Sequence, residues 1–237
     1  MRDNRTIGIT GAGGALGRAL TKQFRSKGYK VIGFTHNKTM QEKSDEGPNE
    51  WAYWECGKEY LLKNKLKEID ILILNHGIYK FDNDNSNYED SIEINALSKF
   101  KILDIFEQIA QQKENANTKK EIWINTSEAE LLPALNPSYE ISKLLIGQLV
   151  TFKNSLSKIN KKNFLIRKLI IGPFKSSLNP IGLMSPDLVA FFIYYLSKMN
   201  LFLIIVTPNP LSYILFPLKE FYYLIYCKFL ETLKKND

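Results

Sequence analysis

The stretch RTIGITGAGGALGRALTKQF (5–24) constrains the fold more than any other. A run of strand length leads into the loop TGAGGALG (10–17), and Leu16, Leu20 and Phe24 then recur every four residues, as on one face of a helix. Glycine permits the positive φ and close backbone approach that so tight a loop needs. The helix that follows aims its unpaired N–H groups and the positive end of its dipole at whatever lies over the loop. Strand, glycine loop and helix in this order make a cradle for a dinucleotide pyrophosphate. The backbone of Gly11, Gly13, Gly14, Ala15, Leu16 and Gly17 is expected to line it.

The rest of the chain repeats the alternation. RTIGIT (5–10), YKVIGF (29–34), EWAYWE (50–55), DILILN (70–75), EIWINTS (121–127), FLIRKLII (164–171) and LFLIIV (201–206) read as strands. Helical patterns fill 15–28, 89–112, 138–159 and 186–199. Apolar strands that alternate with helices predict an α/β fold: a Rossmann-like, doubly wound parallel sheet of about seven strands with helices on both faces. A single dinucleotide-binding domain is expected over 1–237, with an apolar C-terminal extension at about 207–237. The polar stretch 36–49 holds Gly47-Pro48, so the helix due there is expected to be short or missing.

At 237 residues, 44% hydrophobic and 24% charged, the chain can bury one large core and does not have the composition of a disordered segment. The net charge is +7, but the lysines are dispersed, denser only in 153–168, and predict a solvated surface without nucleic-acid binding. Cys56 and Cys227 have no CxxC partner, and MRDNRTIGIT is not a signal peptide, so a reducing, cytoplasmic setting is expected. With His36 and His76 the only histidines, no metal site is expected.

The end of the second strand speaks to the choice of dinucleotide. A carboxylate there would bind the adenosine ribose and repel a 2′-phosphate. Phe34-Thr35-His36-Asn37-Lys38 offers none, and Lys38 with Asn37 or Thr35 can hold a 2′-phosphate. NADP is expected, with NAD as the alternative.

Further motifs follow in order: LNHG (74–77), INA (94–96), NTSE (125–128), YEISK (139–143) and IIGPFKSS (170–177). With the glycine loop, this series resembles the short-chain dehydrogenase/reductase family over about residues 5–206. LNHG departs from the family's turn at Leu74 and His76, and Gly172-Pro173 inverts its Pro-Gly. The spacing of Gly11, Gly14 and Gly17 fits the longer subtype, which includes sugar epimerases, but the chain's length favours the compact, single-domain type.

The resemblance implies hydride transfer between a nicotinamide and a carbonyl or alcohol carbon. Tyr139 would give or take the proton. Lys143, one turn on, would favour the phenolate and hold the nicotinamide ribose. Ser127 would orient the carbonyl, and Asn95 would hold a water that relays protons to Lys143. Ser127 lies 12 positions before Tyr139 and Thr126 lies 13, the family's usual interval, so the choice between them stays open with Ser127 preferred. Asn75, His76 and Gly77, Glu55 and Cys56, and Gly172, Pro173 and Phe174 would complete the cofactor site. Tyr194 and Lys198 repeat the Tyr-x-x-x-Lys spacing without an upstream serine and read as ordinary helix residues.

The loops 128–138 and 175–190 are expected to wall the substrate pocket, with Leu131, Leu132, Leu135, Leu178, Ile181, Leu183 and Met184 as apolar lining. This points to NADPH-dependent reduction of a lipophilic ketone or aldehyde. A non-catalytic NAD(P) sensor or scaffold is the alternative, motivated by the serine spacing and by Glu128; an epimerase or dehydratase is a third, set back by length. Pro208, Pro210 and Pro217 break the apolar run 201–230 short of the about 20 residues that a membrane span needs. A terminal helix is expected there, with Lys228, Lys234 and Lys235 near its end. It should pack in the core or in a homo-dimer or homo-tetramer interface, or else touch a membrane surface.

Overall fold

In the computed structural model, which describes residues 5–37, 46–80, 85–112, 119–160 and 164–236, most strands are followed by a helix. The strands are β1 (Thr6–Thr10), β2 (Lys30–Thr35), β3 (Glu50–Tyr53), β4 (Ile71–Leu74), β5 (Lys120–Asn125), β6 (Phe164–Ile171) and β7 (Leu203–Val206). They form one seven-stranded parallel sheet in the order β3-β2-β1-β4-β5-β6-β7. The order reverses between β1 and β4, so the crevice for a ligand opens at the carboxyl ends of these two strands.

The helices are α1 (Ala15–Ser26), α2 (Lys63–Lys67), α3 (Asn85–Ile92), α4 (Ser98–Ala110), α5 (Pro137–Ile159), α6 (Pro186–Ser197) and α7 (Ser212–Asn236). Side chains alternate across each strand and divide the core in two. Ile7, Ile9, Ile71, Ile73 and Trp123 pack with α1 and α6 on one face. Phe34, Leu72, Leu74, Ile122 and Ile124 pack with α4 and α5 on the other. Tyr194 packs on Phe24 with ring centroids 5.6 Å apart, and Lys198 donates to the Tyr29 hydroxyl, so the second Tyr-Lys pair ties α6 to α1.

Two local expectations change, and a third falls largely outside the described residues. A 3₁₀ turn (Glu59–Leu62) and α2 fill the interval between β3 and β4, where no helix was expected. They are brief, and Leu62 and Leu66 are their buried apolar residues, too few to show a helical period. The interval 36–49 falls mostly on 38–45, outside the described residues. Pro217 does not end a helix but lies inside α7. The neighbouring Phe216, fully buried against Ile170 and Ile205, and Glu220, 4% exposed, hold α7 on the sheet across the lost amide.

Candidate active site

The glycine loop folds as its composition demands. Gly11 has φ +64°, and a Cβ there would come within 2.9 Å of the His76 Cα. A Cβ on Gly17 would overlap the Gly11 carbonyl oxygen. The Gly14 amide donates to that same oxygen at 3.0 Å and closes the turn. Gly14 then caps α1 with no side-chain bond, and no acid lies in the first turn, so the helix itself supplies no group that neutralises this end. Gly13, Ala15 and Leu16 follow the curve of the loop, and Arg18 donates to the Gly13 carbonyl at 2.6 Å. A cleft of about 640 Å³ runs beside them, walled by α1, Gly47-Pro48, Trp51 and the start of α6. A pyrophosphate fits this arrangement: glycines that exclude side chains, and a helix N-terminus that awaits an anion.

The end of β4 lies against the loop. Thr10 Oγ1 accepts from the Asn75 amide at 2.9 Å and the His76 amide at 3.3 Å, and meets His76 Nδ1 at 2.7 Å. The Asn125 amide donates to Asn75 Oδ1 at 3.0 Å, which links β4 to β5. The His76 ring sits edge-on to Trp54 at 4.9 Å. Burial, then the charges of Lys99 and Lys143, hold its pKa well below the usual imidazole range, so the ring is neutral. His76 therefore serves as an aromatic floor to the crevice. Gly77 has no room for a side chain, because a Cβ there would approach Asn95 Oδ1 to 2.8 Å.

Asn95 lies in a π-turn (Glu93–Leu97), a distortion that concentrates at functional sites. Its Oδ1 accepts from the Ile78 amide at 2.8 Å, and its Nδ2 donates to the Ile78 carbonyl and to Ser142 Oγ, each at 3.0 Å. This side chain is thus spent on fastening the β4 turn to α5. Ser142 passes the link on by donating to the Tyr139 carbonyl at 2.7 Å.

Tyr139 stands in the first turn of α5, whose start is set by Asn136: its Oδ1 accepts from the Tyr139 amide at 3.0 Å. Pro137 and Glu140, which takes the Ala134 amide at 2.7 Å, complete the cap. The Tyr139 ring is half-buried, with Tyr79 edge-on at 5.0 Å and Lys143 Nζ 5.2 Å from its centroid.

At the end of β5 the two candidate hydroxyls divide. Thr126 is 1% exposed and donates to the Leu169 carbonyl at 3.1 Å. Ser127 is half-buried, and its Oγ accepts from the Ala129 amide at 3.2 Å, which leaves its proton available. Glu128 is accounted for elsewhere: its Oε1 accepts from Thr207 Oγ1 at 2.6 Å and from Ser212 Oγ, so it pins the start of α7. After β6, a Cβ on Gly172 would clash with Thr207, and the Pro173 carbonyl takes the amides of Leu183 and Met184, so the chain beyond Phe174 folds back as a flap.

The remaining expected cofactor residues lie further out. The Asn37 amide donates to Thr35 Oγ1 at 3.1 Å at the end of β2; Lys38 lies outside the described residues. Glu55 pairs with Lys58 at 2.8 Å. Cys56 is half-buried, and burial raises its thiol pKa.

Three residues escaped the sequence reading. Arg18 and Tyr79 carry no motif. Lys99 does carry a signal, because it continues the buried spacing of Asn95, Ile102, Leu103 and Phe106 along α4. It is fully buried, donates to the Asn125 carbonyl at 2.8 Å and meets Lys143. Burial, then the Lys143 charge, hold its pKa well below the usual lysine range.

Residues 7–155 match the model of the NAD dependent epimerase/dehydratase family. A monoglucosyldiacylglycerol epimerase from Synechocystis sp. is 39% identical over 227 residues, which cover 94% of this chain and 54% of that protein. The chain thus spans about half the length of this relative. Among solved structures, a short chain dehydrogenase from Burkholderia cenocepacia in complex with NADP superposes with a TM-score of 0.74 at 15% identity, over 87% of this chain and 89% of that one. A short-chain dehydrogenase from Sphingobium yanoikuyae in complex with NADPH gives 0.72 at 14% identity, over 87% and 88%. Those two share the fold; the match over 7–155 makes this chain a member of the NAD dependent epimerase/dehydratase family, a branch of the short-chain dehydrogenases/reductases.

Proposed function

We propose that this protein inverts a hydroxyl-bearing carbon on the sugar of a glycolipid, by oxidising the alcohol and reducing the carbonyl from its other face. The observation that carries the reading is the setting of Tyr139 and Lys143, next to loops with exposed apolar side chains. Leu131 is 38% exposed, Leu135 96%, Ile181 88% and Leu183 73%. A free sugar gains nothing from such a rim, whereas acyl chains do. The 39%-identical relative, named for epimerising monoglucosyldiacylglycerol, supports the same class.

A nicotinamide dinucleotide in the crevice supplies the chemistry of taking and returning a hydride. The protein handles the proton and the geometry. Tyr139 takes the hydroxyl proton as the carbonyl forms and gives it back on reduction. Lys143 stabilises the phenolate in between. Ser127 donates to the substrate oxygen in both halves. Hydride and proton both return, so nothing is oxidised overall. NADP is preferred, because no carboxylate stands at the end of β2, where Thr35, Asn37 and Lys38 can meet a 2′-phosphate.

The same residues and rim, used in one direction only, would reduce a lipophilic ketone or aldehyde with NADPH. One experiment separates the readings. Purified protein is incubated with monoglucosyldiacylglycerol in detergent micelles and a trace of NADP, and the sugar is analysed for an epimer of glucose. Epimer formed without cofactor consumption, and lost in Tyr139→Phe, is the expected result. Stoichiometric NADPH oxidation with ketones and no epimer would favour the reductase. Cofactor binding without turnover on either class would rule out both.

A further inference from the structure

Helix α7 is apolar on two opposite faces. Its inner face holds Phe216 and Cys227, at 0% and 1% exposure, with Glu220 at 4%. The inner face is accounted for by β6, β7 and α5. On the outer face Ile214, Leu218, Phe221, Ile225, Phe229 and Leu233 follow one another at helical spacing, 46% to 62% exposed. This continuous stripe runs the length of the helix.

Its charges are sorted as well. Both described carboxylates of α7 face inwards or to its flank: Glu220 is buried against Lys168, and Glu231 is half-buried. Lys228 is exposed beside the stripe, and Lys234, 74% exposed near the end of the helix, pairs with Glu231 at 3.9 Å. Among the described residues the outer side of the helix thus presents apolar groups bordered by the Lys228 charge, on a chain of net charge +7. The helix also begins near the candidate site: Ser212, its buried first residue, hydrogen-bonds Glu128, the neighbour of Ser127.

We propose that α7 seats this protein on the surface of an anionic lipid bilayer. Its outer stripe lies among the upper acyl chains, and Lys228 and Lys234 lie at the head groups. Stripe and flanking cations together are the pattern of a helix that lies in a membrane interface. No described helix is long and apolar enough to cross a membrane, so the contact is with one leaflet. The charge pattern favours lipid over a second copy, because among the described residues the outer face carries no carboxylate to pair with a partner's Lys228. Docking through α7 would bring the mouth of the site, one hydrogen bond away, to the height of the lipid head groups.

The test is flotation of the full chain with vesicles of phosphatidylcholine containing phosphatidylglycerol, beside vesicles of phosphatidylcholine alone. Neither contains glycolipid or cofactor, so the outcome is independent of the catalytic reading. The protein is expected to float with the anionic vesicles and more weakly with the neutral ones. Leu218→Ser/Phe221→Ser/Ile225→Ser should lower the bound fraction at least about tenfold. Lys228→Glu/Lys234→Glu, at two exposed positions, should remove the preference for anionic vesicles, and carries the test if the triple variant fails to fold. No flotation with either composition overturns the proposal, as does binding unchanged in both variants. A dimer that the triple variant breaks, seen by light scattering, also overturns it by giving the stripe to a second copy.

Discussion

Lys168 is the fully buried cation that ties α7 to the sheet. It projects from β6 with no exposed surface, and its Nζ reaches Glu130 Oε1 at 2.5 Å, Glu220 Oε1 at 2.8 Å, Thr151 Oγ1 at 2.8 Å and the Gly147 carbonyl at 3.0 Å. An ammonium has three protons to give, so these acceptors saturate it. Lys168→Met keeps the volume and removes the charge. Glu220, 4% exposed, would be left with the Thr151 hydroxyl at 2.7 Å, and Glu130, 1% exposed, with Lys219 at 2.7 Å. Removing one partner from a buried ion pair costs about 3–5 kcal/mol. In a chain of this size each kcal/mol moves the midpoint by about 2–4 °C, which makes the expected fall about 6–20 °C.

Urea unfolding and thermal melts measure that loss, and limited proteolysis between β7 and α7 shows whether the helix detaches. The same reasoning requires recovery when the carboxylates leave too. Glu130→Leu/Lys168→Met/Glu220→Leu should regain most of the loss, because an apolar set of similar volume replaces buried ion pairs at little cost. If Lys168→Met loses less than about 1 kcal/mol, or the triple variant is no more stable than the single one, the buried charges are not what holds α7.

Other outcomes follow from single residues. Gly17→Ala forces a Cβ into the Gly11 carbonyl and should weaken NADPH binding at least about tenfold, read by fluorescence titration. Ser127→Ala should lower kcat by about 100-fold, whereas Thr126→Val should leave kcat and cost about 1 kcal/mol of stability through the lost bond to Leu169; the reverse pattern would make Thr126 the catalytic hydroxyl. Lys99 has a folded pKa below its unfolded value, so the unfolded chain binds the extra proton. Its cost is therefore absent above about pH 10.4, grows as pH falls and levels off below the depressed folded value. Lys99→Met should raise stability at neutral pH and flatten the rise of stability towards alkaline pH, both measured by urea unfolding; an unchanged slope would mean that Lys99 stays charged when folded.

The fold was legible because its signals are local and repeated. Each apolar run of strand length became a parallel strand, and TGAGGALG closed as a loop because Gly11 and Gly17 have no room for a side chain. The order of motifs brought Asn95, Ser127, Tyr139 and Lys143 to one end of the sheet. Partnership between distant residues was not legible. Thr126 and Ser127 are adjacent hydroxyls in sequence, and only the Leu169 carbonyl, 43 positions on, separates their settings. Asn95 reads as a site asparagine, yet its side chain is occupied by Ile78 and Ser142. Lys99 looks like any helical lysine until its spacing is set against Phe106.

Glu128 and α7 show why such partnerships matter for function. Alone, Glu128 is an odd residue beside a catalytic serine and argues against catalysis. With Thr207 and Ser212 on its carboxylate, it becomes the clamp between the serine loop and the start of the C-terminal helix. The next residues of that loop reach the same helix again, since Glu130 pairs with Lys219 at 2.7 Å and with Lys168 beneath it. A displacement of α7 therefore pulls on the 3₁₀ turn that Ser127 caps. What binds the outer face of α7 is thereby joined, through two glutamates, to the residue proposed to hold the substrate oxygen.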